Sequence, residues 1–469
     1  MSHHQPDPNK SVTLTIDGIP VTVPEGTRIL EAAKKANVNI PTLCEHPDLC
    51  KRALCRICVV EADGRGKLIA ACANDVWEGV SIVTTNQRLL NIRKTIIELI
   101  LANHPQECLS CIRNKKCELQ SLALNFGVGG SLFENDVGER PPQIESETLV
   151  RNMDKCVKCG RCVEVCQEVQ TIRAINTSHR SHEYEISTPY KQALEESFCT
   201  FCGKCAEACP VGAIYEHDQT AEVRAALAAG QKAIAQISPA LAAAVNDELA
   251  LAADTITAGK LVTAIKLLGF EKVYDAAIAA NAVNSEIEGE VQKRGNGSRE
   301  KPQVTAKLPV ISGCSAGADK FVKNFYPDLA DHLTTVKSPR RYFASVIKSN
   351  YAKEAGLDSS SVTSVSFLPC LAHKYGAGIK DENDFALTAG ELARMLKLAG
   401  IVVETLPEKA FDSVNVDLPK QGSCLQASLV KKETIHGYAQ ARKVMEAICE
   451  GKCDAEWVEI LNCPGDNPC

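Results

Sequence analysis

The chain has 469 residues, of which 45% are hydrophobic and 23% are charged, and its formal net charge is −6. This composition is typical of folded protein rather than disorder, and the length predicts about three or four structural units. The negative net charge and the lack of a basic stripe exclude nucleic acid as a partner.

The sequence carries no signal for secretion or for a membrane. Residues 1–10 are polar, and the longest apolar run, 233–245, is interrupted by Gln236 and Ser238. A spanning helix needs about 20 consecutive apolar residues. Sixteen of the 23 cysteines lie before residue 210 in closely spaced groups, which in a reducing compartment bind metal rather than form disulfides. We therefore predict a cytoplasmic protein that makes no membrane contact.

The first predicted elements form a small α+β domain over residues 11–87. Residues 11–26 alternate apolar and polar side chains around Asp17-Gly18, which predicts a two-stranded hairpin. Residues 27–37 then predict a helix with one apolar face, consisting of Ile29, Ala32, Ala33 and Ala36. A hairpin, a helix and a cysteine-bearing loop together indicate a β-grasp ferredoxin domain.

The first cysteine group has the spacing C-x10-C-x2-C-x13-C and consists of Cys44, Cys55, Cys58 and Cys72. Four thiolates with a close central pair are typical of a plant-type 2Fe-2S site. A structural zinc site is the alternative for this group. Cys50 is left over and is treated as a non-ligand.

The second group follows a strongly periodic helix predicted over residues 87–103. The side chains expected to face inward are Leu89, Ile92, Ile96, Leu99 and Ile100. The group that follows has the spacing H-x3-C-x2-C-x5-C and consists of His104, Cys108, Cys111 and Cys117. One imidazole and three thiolates can hold a 4Fe-4S cluster, and the neutral imidazole should raise its potential. From the spacing alone, zinc remains the alternative within this domain, residues 88–140.

Two identical C-x2-C-x2-C-x3-C runs follow, in a domain predicted over residues 141–221 with the boundary at Pro141-Pro142. In two-cluster bacterial ferredoxins the fourth cysteine of each run binds the other cluster. The first predicted 4Fe-4S set is therefore Cys156, Cys159, Cys162 and Cys209. The second predicted set is Cys199, Cys202, Cys205 and Cys166.

The last domain, residues 222–469, has an α/β pattern. Residues 221–280 are alanine-rich and helix-prone, with a short strand at 233–237. Residues 286–302 are charged and contain glycine, which predicts a loop. Beyond it, the pattern predicts strands at 308–311 and 365–368 and a helix at 390–398.

The order of the cluster sites resembles the N-terminal half of the large iron-sulfur subunit of respiratory complex I, and also multi-cluster [FeFe] hydrogenases. Residues 222–469 resemble the hydrogenases alone, through SPALAAAV at 238–245, KFVKNFYPDLADHL at 320–333, KSP at 337–339 and LPCLAHKYG at 368–376. GYAQARKVMEAI and WVEILNCPG, towards the C-terminus, continue the resemblance. The resemblance implies a multidomain α+β and α/β protein with a hydrogenase-like domain at its C-terminal end.

The departures from the hydrogenase motifs are as informative as the matches. Aligned through Lys320-Phe321, the TSCCP motif becomes Ser312, Gly313, Cys314, Ser315 and Ala316, so a cluster ligand becomes Ser315 unless a one-residue shift recruits Cys314. In the MPCxxK motif and its later glutamate, Cys370 is kept, while His373 and Gly376 replace the lysine and the glutamate. The MxCPGGC motif keeps Cys463 but has Asn467 in place of its second cysteine, with Cys469 two residues late.

These losses predict that no catalytic residue and no hydrogen-activating H-cluster remain. The alternative for this region is a residual metal site held by some of Cys314, Cys370, Cys463 and Cys469. The remaining interpretation treats these four, with Cys424, Cys449 and Cys453, mostly as ordinary buried thiols or relics.

The resemblance implies a chain that carries electrons through one 2Fe-2S cluster and three 4Fe-4S clusters. It implies as partners a flavin-containing NADH-binding subunit and a thioredoxin-like 2Fe-2S subunit. Our hypothesis adds ferredoxin and a third enzyme, which is an NADP-dependent flavoprotein or a formate dehydrogenase. We expect an iron-sulfur subunit of an electron-bifurcating complex without hydrogenase activity. Two alternatives stay open, namely an active or atypical [FeFe] hydrogenase and a redox sensor. No G-x-G-x-x-G follows a predicted strand, so nicotinamide chemistry is assigned to another subunit.

Overall fold

A computed structural model describes residue 7 and residues 10–49, 52–63, 67–133, 143–146, 148–238, 240–300, 308–376, 384–413 and 430–461. The chain divides into two compact units. The first consists of Met1–Ile144, Val150–Ala193 and Lys204–Tyr215, and the second of Glu145–Leu149, Leu194–Gly203 and Glu216–Cys469.

Short strands and short helices, joined by cysteine-bearing loops, make up the N-terminal part of the chain. Its strands are β1 (Ser11–Ile16), β2 (Ile19–Pro24), β3 (Val59–Ala62), β4 (Lys67–Ala70), β5 (Ser81–Val83), β6 (Gln143–Ile144), β7 (Leu149–Arg151), β8 (Asn176–Ser178), β9 (Glu185–Ser187) and β10 (Ile214–Glu216). Its helices are α1 (Ile29–Lys35), α2 (Gln87–Ala102), α3 (Glu118–Asn125), α4 (Arg161–Glu164) and α5 (Lys204–Glu207). The sheets have the strand orders β2-β1-β5-β3-β4, β10-β7-β6 and β8-β9.

The predicted hairpin and first helix are confirmed. Strands β1 and β2 pair antiparallel around Asp17-Gly18, where both residues have positive φ, as a tight two-residue hairpin turn requires. The buried residues Val12, Leu14 and Ile16 alternate along β1, which gives the sheet one apolar face. Helix α1 adds Ile29, Ala32 and Ala33 to the same core.

Helix α2 forms as predicted, but its predicted inward face is wrong in part. Leu99 is 47% exposed, whereas Leu89, Arg93 and Ile97 are buried at i, i+4 and i+8. Ile92, Ile96 and Ile100 are only half-buried. The buried arginine explains the difference, because its guanidinium donates to three backbone carbonyls and so fixes the rotation of the helix.

Longer alternating strands and helices build the C-terminal part, which confirms the predicted α/β pattern. Its strands are β11 (Lys232–Ile237), β12 (Lys272–Asp275), β13 (Val310–Gly313), β14 (Val362–Leu368), β15 (Asp384–Thr388), β16 (Lys432–His436) and β17 (Trp457–Leu461). Its helices are α6 (Thr220–Ala228), α7 (Ala240–Leu249), α8 (Ala258–Leu267), α9 (Ala276–Glu300), α10 (Ala316–Phe325), α11 (Pro339–Tyr342), α12 (Lys348–Glu354), α13 (Ala389–Leu398) and α14 (Tyr438–Cys449). Two parallel sheets have the orders β12-β11-β14-β15 and β13-β17-β16.

Helices cover both faces of the four-stranded sheet. Ala235, Ile237 and Phe367 face a core that includes residues of α7, α8 and α13. Ile234 and Tyr274 face a second core built with α9, α11 and α12. Parallel sheets are buried in this way on both faces, and ligands commonly bind beyond the carboxyl ends of their strands.

The loop predicted at 286–302 is wrong, because α9 continues through Glu300. Ile287, Val291 and Arg294 are buried on its inner face, and Arg294 also pairs with Glu290 at 2.7 Å. Glutamate, lysine and arginine are good helix formers, and Glu286 and Lys293 lie exposed on the outer face of the helix. Within the described residues, no helix combines the length and the hydropathy that crossing a bilayer requires.

A fully buried ion pair connects the loop after β14 to α13. Lys374 Nζ lies 2.7 Å from Glu391 Oε1, and both side chains are inaccessible to solvent. Glu391 also accepts from the backbone N–H groups of Gln219 and Thr388, which completes a capping box at the start of α13. The ion pair of Lys374 with Glu391 therefore holds three segments together, namely the loop after β14, the segment at Gln219 and the start of α13.

We predict that Lys374→Met lowers the free energy of unfolding by about 3–5 kcal/mol, because it leaves the Glu391 carboxylate buried without its cation. Lys431→Met, which removes an exposed pair with Asp454, should change it by less than about 1 kcal/mol. Anaerobic thermal unfolding of both variants measures the difference. Equal melting temperatures for the two variants would show that the buried pair contributes nothing.

Candidate iron-sulfur sites and a remodelled cavity

The first cysteine group converges around the loop that joins α1 to β3. The sulfur atoms of Cys58 and Cys72 lie 3.3 Å apart, and the backbone N–H of Cys55 donates to Cys44 Sγ at 3.5 Å. Hydrogen bonds from the Cys55 and Cys72 thiols lower the pKa of Cys44, so that this thiol becomes the most acidic of the group. The structure therefore brings the four predicted ligands together. Cys50 lies outside the described residues.

Arg93, which the sequence reasoning missed, organises the backbone on both sides of Cys58. Its guanidinium donates to the carbonyl oxygens of Ile57, Val59 and Thr84 at 3.2, 2.7 and 2.9 Å. Burial lowers the pKa of Arg93, while the charge of the nearby Cys58 thiolate opposes that shift. A buried cation at this place can offset the negative charge of a thiolate-bound cluster. The position of Arg93, four residues after Leu89 and four before Ile97, was the sequence signal that could have identified it as buried.

The second group lies between α2 and α3. Cys117 is the N-cap of α3, where its sulfur accepts from the backbone N–H of Gln120 at 3.5 Å. The backbone N–H of Cys111 donates to the carbonyl of Cys108 at 3.3 Å, which closes the short turn between them. The charges of Cys111 and Cys108 act on the Cys117 thiol, so the three sulfurs lie in one electrostatic environment.

His104 in this group has the properties of a metal ligand. Its Nδ1 atom is buried and has no hydrogen-bond partner among the described residues. Burial, assisted by the charge of Lys155, lowers the pKa of His104. A neutral imidazole with an available ring nitrogen is the form that binds metal.

The third group surrounds a small enclosed cavity. Cys156, Cys159, Cys162 and Cys209 all line this space of about 20 Å³, and the other walls are mostly apolar. Burial raises the pKa of Cys156 to about 11 and that of Cys159 to about 12. Three cysteines of the first run and the last cysteine of the second run thus come together, in the combination that the sequence predicts.

The residues of the fourth group are shared by the two units, so their grouping remains a prediction. Cys166 and Cys205 belong to the first unit, while Cys199 and Cys202 belong to the second. Cys199 is buried, and its sulfur accepts from the backbone N–H of Phe201 at 3.4 Å. Burial raises the pKa of Cys166.

In the described part of the chain, no three His, Cys, Asp or Glu side chains are arranged to hold a single metal ion. A 4Fe-4S cluster has one protein ligand on each iron and a 2Fe-2S cluster has two, so neither requires three side chains around one ion. Which residues bind each cluster stays a prediction.

The segment that carries Cys199 and Cys202 packs within the second unit against the hydrogenase-like fold. The Phe201 ring stacks on Tyr375 with the ring centroids 4.3 Å apart. A Cβ atom on Gly317, in the first turn of α10, would lie 2.2 Å from the carbonyl oxygen of Thr200. Glycine at position 317 is therefore required for this close approach.

The positions of two hydrogenase motifs line one cavity of about 410 Å³ in the second unit. Cys314 and Ser315 from the first motif, and His373 and Gly376 from the second, all contribute to its wall. Ser315 is the N-cap of α10, and its Oγ accepts from the backbone N–H of Gly317 at 3.3 Å. In the first motif, a serine hydroxyl that caps a helix replaces the thiolate. In the second motif, a histidine replaces the lysine. The described residues therefore do not fit a hydrogen-activating centre.

The other C-terminal cysteines correct one expectation. Cys314, Cys370 and Cys453 are only half-buried and Cys449 is exposed, so none of these four is a fully buried thiol, and their interpretation as relics stays a prediction. Cys424, Cys463 and Cys469 lie outside the described residues. The alternative of a residual metal site at Cys314, Cys370, Cys463 and Cys469 therefore stays untested.

Four family profiles match successive parts of the chain. They are a 2Fe-2S iron-sulfur cluster binding domain at residues 9–87, the NADH-ubiquinone oxidoreductase-G iron-sulfur binding region at 93–131, the ferredoxin-like domain of NADH-quinone oxidoreductase subunit 3 at 146–215, and the C-terminal domain of the iron only hydrogenase large subunit at 231–428. The fold and these domains define an iron-sulfur protein with 2Fe-2S and 4Fe-4S cluster-binding domains and a hydrogenase-like domain.

Curated relatives agree over most of the chain. The NADP-reducing hydrogenase subunit HndD of Solidesulfovibrio fructosivorans is 36% identical over 415 residues, which cover 86% of this chain and 71% of that protein. Iron hydrogenase 1 of Clostridium pasteurianum is 29% identical, covering 85% of this chain and 70% of its own length. The NADPH-Fe(3+) oxidoreductase subunit alpha of Geobacter sulfurreducens is 33% identical over 43% of this chain and 24% of its own length. The chain belongs to the iron-only hydrogenase large-subunit family.

We predict that Cys156→Ser and Cys209→Ser each remove the same 4Fe-4S cluster, a loss of about 4 iron atoms per chain. The double variant should lose no more iron than either single variant, because both thiols line one cavity. Combining Cys209→Ser with Cys199→Ser should instead remove about 8 iron atoms, since these two residues are assigned to different clusters. Iron and acid-labile sulfide analysis after anaerobic purification distinguishes the two patterns. Additive losses from Cys156→Ser and Cys209→Ser would contradict the assignment.

We also predict that His104→Cys keeps a 4Fe-4S cluster but lowers its midpoint potential, because a thiolate adds one negative charge to the site. A redox titration followed by EPR measures the shift. His179→Cys, at a half-exposed surface histidine, is the matched control and should leave every potential unchanged. An unchanged potential in His104→Cys would exclude this histidine as a ligand.

Proposed function

We propose that this chain is the iron-sulfur electron-transfer subunit of a cytoplasmic, flavin-based electron-bifurcating complex that exchanges electrons between NAD(P)H and ferredoxin. The complex would be linked to transhydrogenation or to formate oxidation. In this proposal, one 2Fe-2S and three 4Fe-4S clusters carry the electrons, and the chain has no hydrogenase activity of its own.

The observation that carries the proposal is the replaced chemistry of the 410 Å³ cavity. Ser315 caps a helix, and His373 stands at the lysine position. Lys374, the adjacent lysine, is buried in its pair with Glu391, with its ammonium held 2.7 Å from the carboxylate. A subunit that has cluster-binding domains but lacks the groups for hydrogen chemistry can transfer electrons to a partner without using them to reduce protons.

The packing of the Cys199 segment within the second unit supports the proposal that one cluster lies beside the hydrogenase-like fold. Phe201, between Cys199 and Cys202, stacks on Tyr375, which itself lines the cavity. Lys320 lies above the Phe201 ring at 5.2 Å and donates to the carbonyl of Glu195 at 2.7 Å. This contact supports a route for electrons that ends beside the remodelled domain.

The relatives support a place in a larger assembly. HndD is named as a subunit of an NADP-reducing hydrogenase, and the Geobacter sulfurreducens protein as a subunit of an NADPH-Fe(3+) oxidoreductase. The chain has no G-x-G-x-x-G motif after a strand, so we assign the nicotinamide site to another subunit. The partners in our proposal are a flavin-containing NADH-binding subunit, a thioredoxin-like 2Fe-2S subunit, ferredoxin, and an NADP-dependent flavoprotein or a formate dehydrogenase.

We expect about 14 iron atoms in this chain after its anaerobic separation from the partner subunits, with a matching amount of acid-labile sulfide. The EPR spectrum of the reduced protein should contain one 2Fe-2S and three 4Fe-4S signals. Infrared spectra should show no carbonyl or cyanide bands, and reduced viologen should give no hydrogen.

Each other outcome of this experiment has a defined meaning. Carbonyl or cyanide bands together with hydrogen evolution would make the chain an active hydrogenase and overturn the proposal. Additional iron without such bands would place a further cluster in the hydrogenase-like domain. Purification without any flavoprotein would contradict the assignment to a bifurcating complex.

A further inference from the structure

The 410 Å³ cavity of the second unit lies where the carboxyl ends of three strands meet. Gln236 lies near the end of β11, and Ser238 follows that strand. Residues 312–314 lie at the end of β13 and just after it, and Phe367 and Leu368 are the last residues of β14. Small-molecule sites in parallel α/β folds lie at this end of the strands, and their volumes run from about 300 to 1,000 Å³. The cavity therefore has the position and the size of a ligand site.

Cations dominate one part of its wall. Lys337, Arg340 and Arg341 line the cavity together, at the start of α11. Among the described residues, the carboxylates of the wall are Asp319 and Glu459, and Glu459 already pairs with Lys432 at 3.0 Å. The described wall thus carries three cations against two carboxylates, one of which has a further cation as its partner.

Burial raises the pKa of Asp319, and the charges of Lys323 and Arg341 oppose this shift, so Asp319 is an electrostatic neighbour of the cations. Guanidinium groups bind carboxylates and phosphates through paired hydrogen bonds, and a lysine binds them as a point charge. This part of the cavity suits an oxyanion.

A buried acceptor marks another part of the wall. Gln236 is 4% exposed, and its Nε2 donates to Ser366 Oγ at 2.8 Å. Its Oε1 atom is buried and has no hydrogen-bond partner among the described residues, and the same is true of Ser238 Oγ. A buried carbonyl without a donor is costly, so a ligand that supplies an N–H or O–H group would be favoured here.

Apolar side chains form much of the remaining wall. Ala280, Val283 and Ile287 face the cavity from α9, and Val336 and Phe367 face it from other segments. These side chains offer a surface to an apolar or aromatic body, the usual lining of a small-molecule pocket.

We propose that this cavity binds an organic anion: a carboxylate or phosphate group contacts Lys337, Arg340 and Arg341, an apolar body fills the middle, and a hydrogen-bond donor meets Gln236. The site is independent of the electron-transfer proposal. It uses the space in which the motif residues of the family converge, but it requires no metal.

Anilinonaphthalene sulfonate is the probe, because it combines an oxyanion, an aromatic body and an N–H donor. Calorimetric titration of the full chain, purified anaerobically with its clusters, should show one saturable site. Arg340→Ala combined with Arg341→Ala should weaken binding at least about tenfold, through the loss of charge-assisted contacts. Arg224→Ala, at an exposed arginine on α6, should leave the affinity unchanged.

Two further variants test the other parts of the site. Gln236→Met removes the acceptor with little change of volume and should weaken binding several-fold. Ala280→Trp places a large ring in the cavity and should abolish the site while the iron content stays unchanged. If the probe fails to bind, or binds all variants as tightly as the native chain, the proposal is wrong.

Competition identifies the chemical class of the anion. Displacement of the probe by adenosine monophosphate indicates an organic phosphate, and displacement by naphthoate indicates a carboxylate. If neither displaces it at a hundredfold excess, the site is not one for organic carboxylates or phosphates, and the proposal fails. Because the readout is binding, its failure would leave the electron-transfer proposal intact.

Discussion

The thiols of Cys156 and Cys159 lie in apolar surroundings, and this burial raises their pKa to about 11 and 12. Without iron these two thiols are neutral at physiological pH. Neutral thiols around an apolar cavity contribute little free energy to holding the surrounding loops in place. Iron replaces their protons and binds the thiolates strongly, so metal binding contributes directly to folding. The short strands and small cores of the first unit depend on this contribution, since they bury little apolar surface of their own.

Arginine side chains complete the environment of the cysteine loops. Arg93 binds the carbonyls on both sides of Cys58, and Arg113 donates to the carbonyls of Ala206 and Cys209, each at 2.8 Å. Arg161, between two cysteines of the first run, pairs with Glu118 at 2.6 Å and donates to the Glu45 carbonyl at 2.7 Å. These cations satisfy carbonyls in the loops and short elements beside the cysteines, and they can oppose the negative charge of thiolate-bound clusters.

Local sequence patterns predicted the structural features that depend on residues close together in the sequence. The Asp17-Gly18 hairpin, helix α1 and the parallel strands β11, β13 and β14 follow from turn chemistry and hydrophobic periodicity. The meeting of Cys209 with the first cysteine run follows from the duplicated spacing. The family of the chain was predictable from the order of the cysteine groups together with the motifs of residues 222–469.

Features that depend on distant contacts could not be predicted in this way. The burial of Arg93 rather than Leu99 is determined by carbonyls of a loop more than 30 residues away in sequence. Helix α9 continues where its composition suggested a loop, because Ile287 and Val291 find an apolar surface to cover. The cavity combines residues from six segments, including its cations and an amide oxygen without a partner among the described residues, which no single stretch of sequence reveals.

The helix cap at Ser315 has a consequence for the history of this domain. Its hydroxyl stabilises the first turn of α10, and such a cap contributes about 1 kcal/mol. A reversion to cysteine would regain a sulfur ligand only by weakening that turn, in a helix whose Gly317 packs against Thr200. A lost ligand position that has acquired a structural role is hard to recover by single substitutions. The sulfur that a cluster would need and the hydroxyl that caps α10 therefore compete for the same position in this domain.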